Sequence, residues 1–476
     1  MASLSSRRLA ELVGTLDGRG PAYREIADRI RLMIVDGRVP DGSRLPSERE
    51  LAEALGVSRT TTTRVYTELR EAGLTRSRQG SGSVVAVPRA ASATSSLMAQ
   101  PDDPDHIAMT YSAWPAPPGL ARAFEHAASK LPGLLATTGY LPDGLPRLRE
   151  LIAQRYADDG LATDPDQIIV TNGAMGAISL VARTLTGPGS RTVVEGTTYP
   201  HGADAFALGG GRLSALPVGD RPWDGLDDVL ATGRHVAAYL IPDFHNPTGL
   251  VMTDDERGRW ARSLTRHDVV PVVDESLRDV NLDGIAMPPV FAHHDPRAIL
   301  IGSSSKAYWG GLRVGWIRAP RRFVMPLLQA RMMDDLGSSA FDQLVLCELL
   351  EDGGQTLAAS RARARAARDH LLGELATRLP AVRVTCPSGG LNLWLTLPER
   401  VSTALVADAI DHDLLMTAGP RFFPGAPAAG ERHLRLPYTQ SNESLTAAVE
   451  RLALAWECVA TGTATAGEAP EIDLIA

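Results

Sequence analysis

The stretch Ser303-Ser304-Ser305-Lys306-Ala307-Tyr308-Trp309-Gly310-Gly311-Leu312-Arg313-Val314-Gly315-Trp316 holds one of only two lysines in a chain of 476 residues; the other is Lys130. Everywhere else the positive charge is arginine. A desolvated lysine can lose its proton and condense with an aldehyde, and an arginine cannot. Schiff-base chemistry would explain a lysine kept here. A composition that merely favours arginine explains it too, and one residue does not decide between them.

The neighbours do. Ser303 and Ser305 put hydroxyls just before Lys306 at the end of an apolar run, and Arg313 follows in a glycine-rich loop ahead of a second strand-like run. Hydroxyls and a guanidinium fork beside one amine suit a phosphate-bearing aldehyde. Upstream, "VTNGAMGAISLVARTL" (170–185) reads as strand, glycine turn and helix, so the amides of Gly173, Ala174 and Met175 sit where a helix N-terminus takes a phosphate. Asp274 ends the apolar run "VVPVV", where an unpaired carboxylate would be costly. Opposite a protonated pyridine nitrogen it would keep the ring an electron sink. Asn246, in "PDFHNPTG", is placed to donate to a phenolic oxygen, and Tyr199, in "EGTTYPH", offers a ring to stack on a pyridine.

Length and composition frame this constellation. The chain exceeds one ordinary core, and its balance of 44% hydrophobic and 22% charged residues is that of a globular protein. No apolar run approaches a membrane span and the N-terminus has no signal-peptide core, so a cytoplasmic protein is expected. Cys347, Cys386 and Cys458 are scattered, with neither disulfide framework nor metal spacing, so reduced thiols and no metal are expected. Net charge is −8, yet residues 1–88 carry 14 Arg against 11 Asp and Glu, a +3 head on an acidic body. A basic head points to an anionic partner.

The organisation follows. A first unit spans 1–88, an Ala/Ser/Pro/Asp-rich linker 89–105, a body 106–462 and a flexible tail 463–476. The body alternates β-branched runs (167–171, 191–196, 237–243, 269–275, 298–303) with helical stretches, which implies α/β architecture with a mostly parallel sheet and ligands at the strand carboxyl ends.

The head reads "LPSERELAEALGVSRTTTTRVYTELREAGL" over 45–74. Pro46 suits a helix's first turn, Gly56 stops that helix, and Ser58 caps a second that runs to Gly73 with Val65, Tyr66 and Leu69 inward. This is a helix-turn-helix. Thr60 to Thr63 are poor helix formers whose place at a helix start makes sense if they face phosphates or base edges. "TRSRQGSGSVVAV" then reads as a two-stranded wing with Gly80 and Gly82 in its tight turn. Residues 5–16 are open between a short helix and a frayed end.

Two resemblances follow from these motifs. Residues 21–88, with "LPSER-LA--LGVSR-T" and "R-GSG", resemble the winged helix-turn-helix of the GntR family. The likeness implies DNA contacts from Arg44, Ser47, Arg49, Ser58, Arg59, Thr60, Thr61 and Gly80. Residues 106–460, with "N-P-x-G", Asp274, "S-x-S-K" and "G-x-R-x-G" in order, resemble fold-type I aminotransferases. That implies pyridoxal 5'-phosphate on Lys306, with Asp274 on its ring nitrogen and Ser303, Arg313, Gly173 and Ala174 on its phosphate. It further implies a small C-terminal α+β subdomain, a Tyr140 that reaches across a dimer interface, and an Arg435 that grips an effector's carboxylate. One departure stands out: Leu277 occupies the place of the tyrosine in "D-E-x-Y", which puts efficient transamination in doubt.

The whole chain resembles the MocR regulators, which implies head-to-tail homodimers, operator DNA and a small amino effector. Three functions compete: a ligand-responsive transcriptional regulator, an active aminotransferase with an accessory DNA-binding head, and a direct sensor of pyridoxal phosphate.

Overall fold

A computed structural model describes residues 4–16, 20–35, 39, 43–78, 82–85 and 106–461. Gly80, the expected linker 89–105 and the expected tail 463–476 lie outside the described residues.

The head holds four helices and a wing: α1 (Ser6–Val13), α2 (Ala22–Val35), α3 (Glu48–Leu55), α4 (Arg59–Glu71), β1 (Thr75–Arg78) and β2 (Gly82–Val85). Residues 6–13 are a helix: Ser5 caps it, and Leu9 and Val13 are buried in the head core with Ile26, Ile30, Leu51, Val65 and Leu69. Pro46 lies two residues before α3, just ahead of the cap, instead of in its first turn. The physical reason is the capping box at Ser47, whose side chain accepts from the Glu50 amide while Glu50 takes the Ser47 amide. Gly56 ends α3 at φ 66°, and Ser58 caps α4 through the Thr61 amide. Helix α4 stops at Glu71, two residues short of the expected Gly73, where φ is 72°. Strands β1 and β2 pair antiparallel from Thr75↔Val85 to Arg78↔Gly82, as a wing should, so Gly82, expected in the turn, is instead the first residue of β2.

In the body the order is β3 (Ile107–Ala108), α5 (Leu120–Leu135), α6 (Pro146–Asp158), β4 (Ile168–Thr171), α7 (Gly173–Leu185), β5 (Arg191–Val194), α8 (Pro200–Ala207), β6 (Arg212–Ala215), α9 (Leu226–Ala231), β7 (Ala237–Leu240), α10 (Asp254–Arg266), β8 (Val270–Asp274), β9 (Ile299–Ser303) and β10 (Gly315–Arg318). There follow α11 (Arg321–Arg331), α12 (Ala340–Glu351), α13 (Gln355–Arg378), β11 (Arg383–Val384), β12 (Asn392–Thr396), α14 (Ser402–Ile410), β13 (Leu414–Leu415), β14 (Thr417–Ala418), β15 (His433–Pro437) and α15 (Asn442–Thr461).

The main sheet has seven strands in the order β4-β10-β9-β8-β7-β5-β6, with helices packed on both faces. Its strands β4, β7 and β9 are buried at every residue, the expected signature of a parallel sheet covered on both sides. Only β10 runs against the rest, and that reversal matters for the site. Gly315, its first residue, pairs with both Ser303 and Thr171. The loop before β10 therefore opens at the carboxyl ends of β9 and β4, where Arg313 joins the side chains that end the parallel strands. A second, antiparallel sheet, β11-β12-β15-β14, packs with α13, α14 and α15 as the small α+β subdomain expected near the C-terminus.

Helix α2 of the head lies against α14 of this subdomain, and Arg31 Nη2 donates to the Ala407 carbonyl at 3.5 Å.

Candidate functional site

Strand ends converge on one pocket. It is walled by Ser112, Ala174, Met175, Tyr199, Asn246, Asp274, Leu277, Ser303, Ser305, Lys306, Arg313 and Asn392, among others, and encloses ≈ 750 Å³ counting its open mouth. Sequence reading named nine of these twelve as cofactor residues and Leu277 as the missing tyrosine; Ser112 and Asn392 it did not find.

Lys306 sits in the turn after β9, and its Nζ donates to the Ser112 carbonyl at 2.8 Å. Burial, with the Arg435 and Arg313 charges nearby, pushes its pKa down to about 8, against the pull of Asp274. An amine at that level has a substantial neutral fraction near physiological pH, which an attack on an aldehyde requires.

Asp274 ends β8 and is buried. Its Oδ2 accepts from the Tyr239 hydroxyl at 2.9 Å and its Oδ1 from the Ser276 amide at 2.9 Å. Burial pushes its carboxyl up, and the hydrogen bonds from Ser276 and Tyr239 pull it back. A cationic partner such as a pyridinium would add to that pull.

The phosphate end is a cradle. Gly173, Ala174 and Met175 are the first residues of α7, so their amides have no partner within the helix. A Cβ on Gly173 would lie 2.7 Å from Arg313 Nη2, at a φ of +72°, so the glycine is what lets the guanidinium approach the helix start. Arg313 is itself left-handed, at φ 50°, and Nη2 donates to the Asn172 carbonyl at 3.3 Å. Ser305 Oγ is buried with no partner, and the Ser303 hydroxyl accepts from the Ser305 amide at 3.2 Å. An orphaned hydroxyl, a glycine-cleared helix start and a guanidinium fit the phosphate of the expected cofactor. Gly173→Ala should strain the turn by about 1–2 kcal/mol and displace Arg313, so cofactor content after dialysis should fall below that of the parent protein.

Arg435 lies on β15, fully buried. One Nη donates to Asn246 Oδ1 at 3.4 Å, the other bonds the Thr110 carbonyl, and its guanidinium carbon stands 5.1 Å from the Phe422 ring centroid. Its Nε is buried without a partner, and burial pushes its pKa down to about 10. A carboxylate brought beside it would supply the missing anion. Tyr199 caps α8 at the pocket wall, and burial pushes its phenol up. Tyr140 does not line the pocket of its own chain; it is 65% exposed.

Besides Asn392, three residues that shape the site escaped the sequence reading. Ser112, from the loop after β3, bonds Asn392 Oδ1 through its hydroxyl at 2.5 Å. Its place opposite Lys306 comes from tertiary folding and has no local signature. Tyr239 lies on β7 three residues before the "PDFHNPTG" turn, and its partnership with Asp274 follows from the parallel pairing of β7 with β8. Glu195 is fully buried and takes hydrogen bonds from Thr198 (2.8 Å), Trp223 (2.7 Å) and the Ile241 amide (2.7 Å). That network braces the segment leading to Asn246. A glutamate ending an apolar strand was its available signal.

On the head, Arg44, Arg49, Arg59 and Thr60 are exposed. The Ser47 and Ser58 hydroxyls are engaged as caps, and Thr61 Oγ1 pairs with Ser58 Oγ at 2.8 Å. The reading that all of Thr60–Thr63 face a nucleic acid needs correction. Thr62 is buried and donates to the Glu48 carbonyl at 2.9 Å, and Thr63 donates to Glu48 Oε2 at 2.7 Å. These two bind α4 to α3, which sets the angle of the helix pair. Arg59→Ala should weaken specific DNA binding by about 1–3 kcal/mol with the fold intact. Fluorescence anisotropy on a selected DNA duplex checks this.

The family described as aminotransferase class I and II matches residues 133–452, and that described as bacterial regulatory proteins, gntR family, matches residues 22–85. The HTH-type transcriptional regulator YdfD of Bacillus subtilis (strain 168), itself uncharacterized, is 26% identical over 472 residues, spanning 91% of this chain and 96% of its own. The probable rhizopine catabolism regulatory protein MocR of Rhizobium meliloti is 29% identical over 341 residues, 65% of this chain and 67% of its own. Among solved structures, LysN, an alpha-aminoadipate aminotransferase of Thermus thermophilus complexed with N-(5'-phosphopyridoxyl)-L-leucine, superposes with TM-score 0.66 at 28% identity, covering 74% of this chain and 93% of that one.

Proposed function

From the premise that the chain belongs to the aminotransferase class I and II family and carries a gntR-family head, the MocR-type arrangement, we propose that it is a DNA-binding transcriptional regulator that holds pyridoxal phosphate and answers to a small amino compound. One observation carries the reading. A helix-turn-helix pair with exposed arginines and a pocket with lysine, aspartate and arginine in place occur in one chain, and the two units touch through α2 and α14.

When bound, pyridoxal phosphate supplies an aldehyde carbon for an amine and an electron-withdrawing ring. The residues around it divide the remaining work. Lys306 offers the amine, Asp274 the anion for the ring nitrogen, and Arg313, Ser303, Ser305 and the start of α7 the phosphate grip. Met175 and Tyr199 line the pocket wall, and Asn246, which accepts from Arg435, would donate to the ring's phenolic oxygen. Arg435 takes the effector's carboxylate. Leu277 is 6% exposed and lines the wall with no hydroxyl, which favours a pocket that binds its signal over one that turns it over quickly. The lineage of aminotransferases keeps the enzymatic reading as the competing one.

We further propose a homodimer in which Tyr140 completes the partner's pocket. The bridge between Leu141 and Gly337 sets exposed Tyr140 beside exposed Leu336, an apolar start for such an interface. Crossing of each head to the partner's body, head to tail, belongs to the same proposal; in a single chain the head rests on its own α14.

The test uses the purified full chain with cofactor. Amino acids and amines are added while the visible spectrum and the affinity for a DNA duplex selected from a random pool are followed. A spectral shift that persists when an oxo acid follows, with a change in DNA affinity, supports the regulator. Bleaching that reverses with the oxo acid, with no change in DNA affinity, overturns it in favour of the enzyme. DNA affinity that depends on cofactor loading alone favours the direct cofactor sensor. Among the described residues, no helix is long and apolar enough to cross a membrane.

A further inference from the structure

Away from the pocket, Asp408 and His412 lie on one face of α14 and the turn that follows it, and Cys458 on α15 reaches them from the neighbouring helix. One ligand atom from each falls within 4.8 Å of the others. His412 Nε2 stands 3.3 Å from Asp408 Oδ2 and 3.9 Å from Cys458 Sγ, so the same ring nitrogen faces both partners. Around a tetrahedral zinc with bonds of about 2.0 Å to N and O and about 2.3 Å to S, an O–N edge is roughly 3.3 Å and an N–S edge roughly 3.6 Å. Two of the three edges already have those lengths to within a few tenths of an ångström.

We propose that Asp408, His412 and Cys458 form a binding site for a soft divalent transition ion of the zinc class. Their donor set is one carboxylate oxygen, one imidazole nitrogen and one thiolate sulfur, which suits zinc and disfavours magnesium or calcium. A carboxylate and a thiolate carry two negative charges, matching one divalent ion. Three protein ligands leave the fourth tetrahedral position to water. Asp408 is 2% exposed and His412 26%, so the site is half sheltered with a way in from solvent. The spacing hides it from the sequence, because Cys458 is 46 residues beyond His412 and is brought in only by the packing of α15 on α14.

Its position gives the ion a consequence. Asp408 follows Ala407, whose carbonyl takes the Arg31 bond from the head. The charge of Asp408 also acts on Asp28 of α2, so an ion here would alter the electrostatics of the joint between body and head.

The test is cobalt(II) as a spectroscopic substitute, added to the reduced full-length protein with its cofactor. One equivalent per chain should give visible ligand-field bands and a near-ultraviolet thiolate-to-cobalt band, both displaced by one equivalent of zinc. Cys458→Ser should remove the thiolate band, and His412→Ala should lower cobalt affinity by at least about 100-fold. The Cys386→Ser and Lys306→Ala proteins should keep both bands, which separates this site from the exposed thiol of Cys386 and from the pocket. Because Cys458→Ser changes one atom at a half-buried position, circular dichroism and the melting curve should match the parent. No thiolate band at equimolar cobalt, or a band that survives in Cys458→Ser, overturns the proposal.

Discussion

Replacing Lys306 with Ala should abolish the visible absorption of the lysine-bound cofactor and leave any retained pyridoxal phosphate removable by dialysis. No second lysine can substitute: Lys130 is engaged with Glu348 on the surface, at 2.5 Å. A companion variant, Lys306→Met, tests the electrostatics in the cofactor-free protein. The amine's pKa falls from 10.5 in the unfolded chain to about 8 in the folded one, chiefly through burial. Between these values the unfolded state binds more protons, so stability from this group rises with pH. The cost is fully present below pH 8 and disappears as pH climbs towards 10.5. At pH 7, Lys306→Met should therefore stabilise the cofactor-free protein by up to about 3 kcal/mol, and the gain should shrink above pH 8. Urea melts of both proteins at pH 7 and pH 10 check this. An equal difference at the two pH values would mean that the amine is not held as described.

Arg435→Ala should produce the second large effect, on the effector and not on the cofactor. The guanidinium is buried, its Nε lacks a partner and its charge is disfavoured, all of which a carboxylate would remedy. Loss of one partner from a buried, hydrogen-bonded charge pair costs about 2–5 kcal/mol, at least a 30-fold weaker response to a carboxylate-bearing amine. The visible band of the cofactor should remain, because Lys306, Asp274 and Arg313 are untouched. The same variant should respond almost normally to an amine that has no carboxylate. If amines with and without the carboxylate weaken alike, Arg435 has a structural role in the pocket and does not read the ligand.

Features with local causes were legible in the sequence. Gly56 and Ser58 stop and start helices through their own backbone and side chain, so the head's helix pair was readable residue by residue. Asp274, Lys306 and Gly173 were readable because each follows directly from the end of a buried strand. Less was visible where chain folding brings distant segments together. Tyr239 reaches Asp274 only through strand pairing, and Ser112 reaches Lys306 from a loop almost two hundred residues earlier. The engagement of Thr62 and Thr63 with α3 was missed for a related reason. Their hydroxyls answer to Glu48 on another helix, and composition alone suggested a surface that binds an outside partner.

The contact of α2 with α14 has a mechanical meaning. Helix α14 packs on β14 and α15, and β14 pairs with β15, the strand that carries Arg435. The seat of the head and the grip on the ligand are thus parts of one stiff plate. Were that plate to pivot against the seven-stranded sheet, the head would swing with it as a lever arm. On the proposed function, a small displacement at Arg435 would then grow with distance from the pivot, and a signal from small molecule to DNA would need no internal wire of side chains.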